Sequence, residues 1–175
     1  GLYFARLPLV TGPTIVHGNA LRLDWGQVVS EARLTHILGN PPFVGARLLS
    51  DDQRAEMTSV FGGSGGEGGL DHVTSWYIKA ATLAHGTRIR IAFVSTNSIT
   101  QGEQPGALWP RLWNLGMRLR FAHRTFRWDN EASGVAAVHC VILGFGGETP
   151  ARRSIYDYEE VRGPAQRVDA KNINP

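Results

Sequence analysis

Apolar residues recur along this chain with two different periods. In "LDHVTSWYIKAATLAHG" (70–86), Val73, Trp76, Tyr77, Ala80 and Leu83 fall three and four apart. That is the spacing of one helix face, and Gly86 supplies a stop. "SDDQRAEMTSVF" (50–61) reads as a second helix with Ser50 or Asp51 as its cap, and "DWGQVVSEARL" (24–34) as a third, capped by Asp24. "GALWPRLWNLG" (106–116) is a helix or part of one, interrupted by Pro110. Short apolar runs lie between these stretches. "TIVHG" (14–18), "THILG" (35–39), "RIRIAFVST" (88–96), "RLRFAH" (118–123) and "AAVHCVILGF" (136–145) predict strands. The second half of 88–96 is apolar enough for burial on both faces. From Gly146 the chain turns polar, with one edge strand at "RSIYDYE" (153–159). Strands alternating with helices predict an open α/β sheet with helices on both faces. Ligands of such sheets bind outside the carboxyl ends of the strands.

Two stretches break the pattern. "GGSGGEGG" (62–69) has six glycines in eight residues and predicts a mobile loop. "ILGNPPFVGA" (37–46) ends a strand with an amide, two prolines and an aromatic ring. The prolines remove two backbone donors and fix two φ angles. Asn40 and the carbonyls beside it can therefore accept hydrogen bonds without nearby N–H groups competing. A plain strand-to-loop turn is the simpler reading, since Asn and Pro are ordinary turn residues. The location favours a functional one: this turn and "STNSITQG" (95–102) both sit at carboxyl ends of neighbouring strands.

Composition narrows the possibilities. The 175 residues can build one domain with a core, and 42% hydrophobic with 19% charged residues fits a soluble globular protein. A net charge of +3 permits a nucleic-acid partner without arguing for one. Cys140 is alone, so no internal disulfide is possible, and a reducing, cytoplasmic setting is expected. No run approaches a membrane span. The start at Gly1 and the end at "KNINP" read as those of an excised or truncated piece.

Common catalytic chemistries lack their residues. The histidines at 17, 36, 72, 85, 123 and 139 show no ligand spacing, so no metal site is expected. There is no G-x-S-x-G elbow and no Walker loop, and the glycine run has no lysine. What remains is a site of hydrogen-bond acceptors beside an aromatic face, which suits transfer to a planar amine. The lone pair of such an amine is delocalised. Two fixed acceptors, the Asn40 side-chain oxygen and the Pro41 carbonyl, could take both N–H groups and aim that lone pair at an electrophile. Phe43 could stack on the ring.

"NPPF" after a short apolar strand resembles the catalytic motif of S-adenosylmethionine-dependent amino-methyltransferases, above all the N6-adenine DNA methyltransferases. "HGNALRLDW", "IAFVSTNSITQGEQ" and "FAHRTFRWDNEASGVAAVHCVILGF" are similar to further segments of that family, over roughly residues 14–145. The wording is closest to the MmeI-like branch of restriction–modification proteins. The resemblance implies a Rossmann-like class I methyltransferase sheet, incomplete, with strands three to seven. It implies a partial catalytic domain over residues 1–150 and a polar tail over 151–175 leading to a downstream region. Asn40, Pro41 and Pro42 would form the catalytic turn, Phe43 would stack on a flipped adenine, and Asn19 and the Ala20 N–H would meet the cofactor's adenine. Double-stranded DNA is the implied partner, with Arg118, Arg120, Arg124 and Arg127 as phosphate contacts or a solvated strand face. Methyltransferases of ribosomal RNA or of a protein glutamine share the tetrapeptide, and a non-catalytic DNA-binding fragment is a further reading. The glycine-rich first motif and the acidic ribose residue of such enzymes are not found in residues 1–13. The isolated chain is therefore expected to bind the cofactor negligibly. The outer edge of the "THILG" strand is expected to be covered by the N-terminal segment or by a second copy.

Overall fold

The computed structural model describes residues 12–63, 65–128, 138–160 and 163–170. Six strands form one sheet: β1 (His36–Gly39), β2 (Arg90–Thr96), β3 (Arg118–Trp128), β4 (Val138–Gly146), β5 (Arg153–Tyr158) and β6 (Ala165–Ala170). Their spatial order is β1-β2-β4-β3-β5-β6. β1 and β2 are parallel, β4 runs antiparallel to both β2 and β3, and β5 is parallel to β3. Four α-helices accompany them: α1 (Trp25–Val28), α2 (Asp51–Val60), α3 (Thr74–Ala84) and α4 (Gln104–Asn114).

The local signals act as expected in most elements. Ser50 caps α2 by a reciprocal capping box with Gln53, and Asp51 and Asp52 stand in its first turn, where the helix dipole favours negative charge. Past α3, Gly86 takes φ +71°, which favours glycine. Pro110 sits inside α4 without ending it.

The three longer helices, α2, α3 and α4, pack together against the sheet. Met57 and Phe61 from α2 and its cap, Tyr77, Ala80, Ala81 and Ala84 from α3, and Leu108, Trp109 and Leu112 from α4 join a single core cluster. Ile91, Phe93, Val141, Leu143 and Phe145 complete it from the sheet. Topology explains this. The crossovers β1→β2 and β2→β3 both step the same way along the sheet, and right-handed crossovers that step the same way lay their helices on the same face. Tyr77 lies at the centre, stacked on Phe145 at 5.2 Å with its hydroxyl 2.8 Å from Ser95 Oγ. Burial pushes that phenol far above its usual pKa. On the opposite face, the Phe121 ring lies across Gly144, where an added Cβ would come within 2.1 Å of it. His123 stacks on Tyr156 beside them at 4.4 Å.

Three expectations need correction. Residues 14–18 form no strand: they are exposed, Ile15 by 85%, and no described strand offers them a ladder. The helix expected over 24–34 closes after one turn. Asp24 caps it by accepting from the Gly26 N–H, but Val29 is extended and a turn follows over 30–34. The adjacent β-branched Val28 and Val29 and the early glycine disfavour a longer helix. The polar tail carries β6 as well as the expected β5, and both continue the sheet. β1 pairs only with β2 among the described residues, and Leu38 on it is 72% exposed. The N-terminal segment expected to cover that edge lies largely outside the described residues, over 1–11.

Candidate functional site

A cavity of about 720 Å³ opens at the carboxyl end of β1. Asn40, Pro41 and Pro42 line it together with Asn19 and Ala20, so the structure brings five of the six expected turn and cofactor residues into one space. Phe43 is not among the lining residues. The volume lies within the range of small-molecule sites.

The catalytic-turn side is built on acceptors. Pro41 is buried, whereas Asn40 is exposed. Among the described residues neither the Asn40 side chain nor the Pro41 carbonyl has a hydrogen-bond partner. The chain just after the turn is held tightly. The Ala46 N–H donates to Asp71 Oδ1 at 2.9 Å, and the His72 N–H donates to the Val44 carbonyl at 2.9 Å. Asp71 Oδ2 accepts from Ser98 Oγ at 2.5 Å, which ties the turn to the loop after β2. The Asp71 N–H donates to Gln104 Oε1 on α4. Open acceptors therefore stand on a braced segment.

The opposite side is a closed turn. The Leu21 N–H donates to Asn19 Oδ1 at 2.9 Å, and the N–H groups of Arg22 and Leu23 donate to the Asn19 carbonyl. Asn19 Nδ2 donates to Glu56 Oε1 at 2.8 Å. Lys79 of α3 donates to the carbonyls of Leu21 and Leu23, both at 2.6 Å. Trp25 donates to the Ala20 carbonyl at 2.8 Å, and its indole also lines the cavity. The Ala20 N–H has no partner among the described residues. Burial lowers the Lys79 pKa, with Asp24 opposing the shift.

Trp76, Phe93, Ile37 and Gly39 supply apolar and aromatic lining. Leu38 and Gln53 also line it, as do Glu56 and His72, and these last two are buried. Sequence reasoning missed them. A signal existed for Glu56: on α2 it stands between Gln53 and Met57 in the three–four stripe 53, 56, 57, 60, which is the buried side. Among the described residues no group of three His, Cys, Asp or Glu is arranged to hold a metal ion. No described helix is long and apolar enough to cross a membrane.

The expected phosphate contacts are largely engaged within the chain. Arg118 donates to the Met117 carbonyl at 2.7 Å, Arg120 to the Glu148 carbonyl at 3.2 Å, and Arg124 pairs with Asp157 at 2.8 Å. Arg127 is also partnered. The glycine run is anchored as well: Arg111 of α4 donates to the Gly65 carbonyl and lies over the Phe61 ring, 4.9 Å from its centre.

Residues 2–157 match the model of the family described as MmeI, DNA-methyltransferase domain. The chain belongs to that family. DNA methyltransferase A of Bacillus subtilis (strain 168) is 39% identical over 142 residues, which are 80% of this chain and 16% of that protein. The solved structure of the Type IIL restriction-modification enzyme MmeI in complex with DNA is 52% identical, with a TM-score of 0.91. It is matched over 98% of this chain and 23% of its own. The type IIG restriction endonuclease BpuSI shares the fold at 12% identity and a TM-score of 0.54, over 82% of this chain and 20% of its own. The chain thus spans under a quarter of the length of each of these three relatives. Membership also accounts for the β1-β2-β4-β3 core of the sheet as that of a methyltransferase domain.

Proposed function

We propose that this chain carries the catalytic turn of a DNA methyltransferase that moves a methyl group from S-adenosylmethionine to the N6 amine of a flipped adenine, within a restriction–modification protein. The observation that carries the reading is the pair of unengaged acceptors, Asn40 Oδ1 and the Pro41 carbonyl, at the mouth of the cavity. Asn40 and Pro41 accept the two N–H groups of the amine. That holds the nitrogen lone pair toward the cavity and stabilises the charge that develops on the amine during transfer. The braced segment 44–46 keeps the acceptors in place without reorganisation. Phe43, outside the cavity, is available to the base.

The lining fits the adenosyl end of the cofactor: aromatic and apolar walls from Trp25, Ile37 and Trp76, with the free Ala20 N–H as a donor. Asn19 serves there as the frame of its turn, since its oxygen is already taken by the Leu21 N–H. When bound, the cofactor supplies an electrophilic methyl group. The MmeI complex with DNA supports DNA as the polymer. Arg118, Arg120, Arg124 and Arg127 keep a place at the phosphates only by exchanging or sharing their present partners.

The test is an assay of the full-length gene product with a labelled methyl donor on double-stranded DNA, RNA and protein. Label in DNA, recovered as N6-methyladenine by mass spectrometry, is the expected outcome. Label in RNA or in protein alone would overturn the reading.

A further inference from the structure

Glu56 is a buried carboxylate in the cavity wall, 9% exposed, and the transfer chemistry above makes no use of it. Taking a carboxylate out of water is costly unless its hydrogen bonds are made. Here Oε1 accepts from Asn19 Nδ2 and from Arg22 Nε, both at 2.8 Å. Oε2 is turned the other way, 3.5 Å from His72 Nε2, too long for a good hydrogen bond but close enough for attraction. His72 is 4% exposed, lines the same cavity, and neither ring nitrogen has a hydrogen-bond partner among the described residues. The backbone N–H of His72 in turn holds the Val44 carbonyl, one residue past Phe43. One side chain on α2 thus stands between the Asn19 turn and the segment that braces the catalytic turn.

We propose that Glu56 is a positioning residue for the cofactor: through Asn19 it holds the 19–23 turn closed, which sets the Ala20 N–H for the cofactor's adenine. The inference rests on the reading of the cavity as a cofactor site. Arg22 is the lesser partner, since its side chain is 62% exposed and its charge is screened by water. His72 is the available donor or acceptor for a bound ligand on the other side of the carboxylate.

The experiment is calorimetric titration of S-adenosylmethionine into the full-length gene product, wild type and variants, with methyl-transfer rates measured in parallel. Glu56→Ala is expected to raise Kd about tenfold or more, the worth of a charge-assisted hydrogen bond. The rate at saturating cofactor should stay within about threefold, since Asn40 and Pro41 are untouched. Glu56→Gln should restore Kd to within about threefold, because its amide oxygen still reaches Asn19 Nδ2. Should Glu56→Ala fail to fold, a reciprocal exchange decides. Asn19→Asp alone sets two carboxylates face to face and loses binding. Combined with Glu56→Gln it again offers one donor and one acceptor, and binding returns. Variants that lower the melting temperature but leave Kd unchanged would overturn the proposal, as would an exchange that restores nothing. A wild type that binds no cofactor would instead overturn the reading of the cavity itself.

Discussion

Asn19 and Asn40 line one cavity, yet their side chains are in opposite states. Asn19 is engaged at both ends, accepting from Leu21 and donating to Glu56. Asn40, exposed as Asn19 is, makes no side-chain hydrogen bond among the described residues. The prolines explain part of the difference. At 41 and 42 they remove the N–H groups that would close a turn on the asparagine oxygen, whereas Leu21 still has its own. The same residue type is thus a structural brace where a backbone donor follows it and an open acceptor where none does. Chemistry needs the second state, because a group that must bind a reacting amine cannot already be satisfied.

The comparison breaks most sharply at Asn40. Asn40→Ala should cut methyl transfer by about a hundredfold or more, roughly 3 kcal/mol of transition-state stabilisation. Cofactor affinity should hardly move, and stability should stay within about 0.5 kcal/mol of wild type. Near-normal turnover in single-turnover assays would remove Asn40 from the chemistry. Asn19→Ala should behave the other way round. It strands the Leu21 N–H and takes one donor from a buried carboxylate, so thermal unfolding should show a loss of about 1–2 kcal/mol. A variant as stable as wild type would mean that the closed turn contributes little.

The glycine run offers a smaller contrast of the same kind. Arg111 holds the Gly65 carbonyl and covers Phe61, so Arg111→Ala should cost about 1 kcal/mol and speed amide exchange over residues 62–69. The loop was expected to be mobile on its glycines alone. Exchange already as fast in the wild type as in the variant would return it to that description.

The smallest effect concerns pH. Burial lowers the pKa of His72, and Glu56 partly opposes the shift. A histidine kept neutral in the fold leaves stability intact above its unfolded value near 6.5 and lowers it as the pH falls below that value. Melting temperature should therefore decline on acidification below about pH 6.5, and less so in His72→Gln. An equal decline in both proteins would assign it to other groups.

How far sequence carries this reading depends on what each residue had to signal. α3, β2 and β4 were readable because their apolar spacing reports burial directly, α2 because Ser50 offers a cap, and the Asn-Pro-Pro turn because two prolines in succession have few other uses. Ile15 and Val16 misled, since an apolar pair forms a strand only when a neighbour offers hydrogen bonds, and the sequence does not say where neighbours are. β6 went unseen because its residues are almost all exposed and show no alternation of apolar and polar positions to read. Glu56, Asp71 and His72 were hidden for a related reason. Charged and polar residues usually face water, and only packing that is absent from the sequence, the stripe of α2 for Glu56 and the turn before α3 for Asp71 and His72, reverses the inference. That Asn19 Nδ2 is occupied was not visible at all, because its acceptor, Glu56, lies 37 residues away.

The Phe121 ring lying across Gly144 has a consequence for how this sheet can change over generations. Any side chain at 144 would have to occupy space the ring already fills, and a smaller residue at 121 would leave the glycine strand bare. Neither position can drift alone without passing through a weakened sheet. Phe121 and Gly144 face each other on neighbouring strands β3 and β4, so a change at one is expected to be tolerated best beside a change at the other.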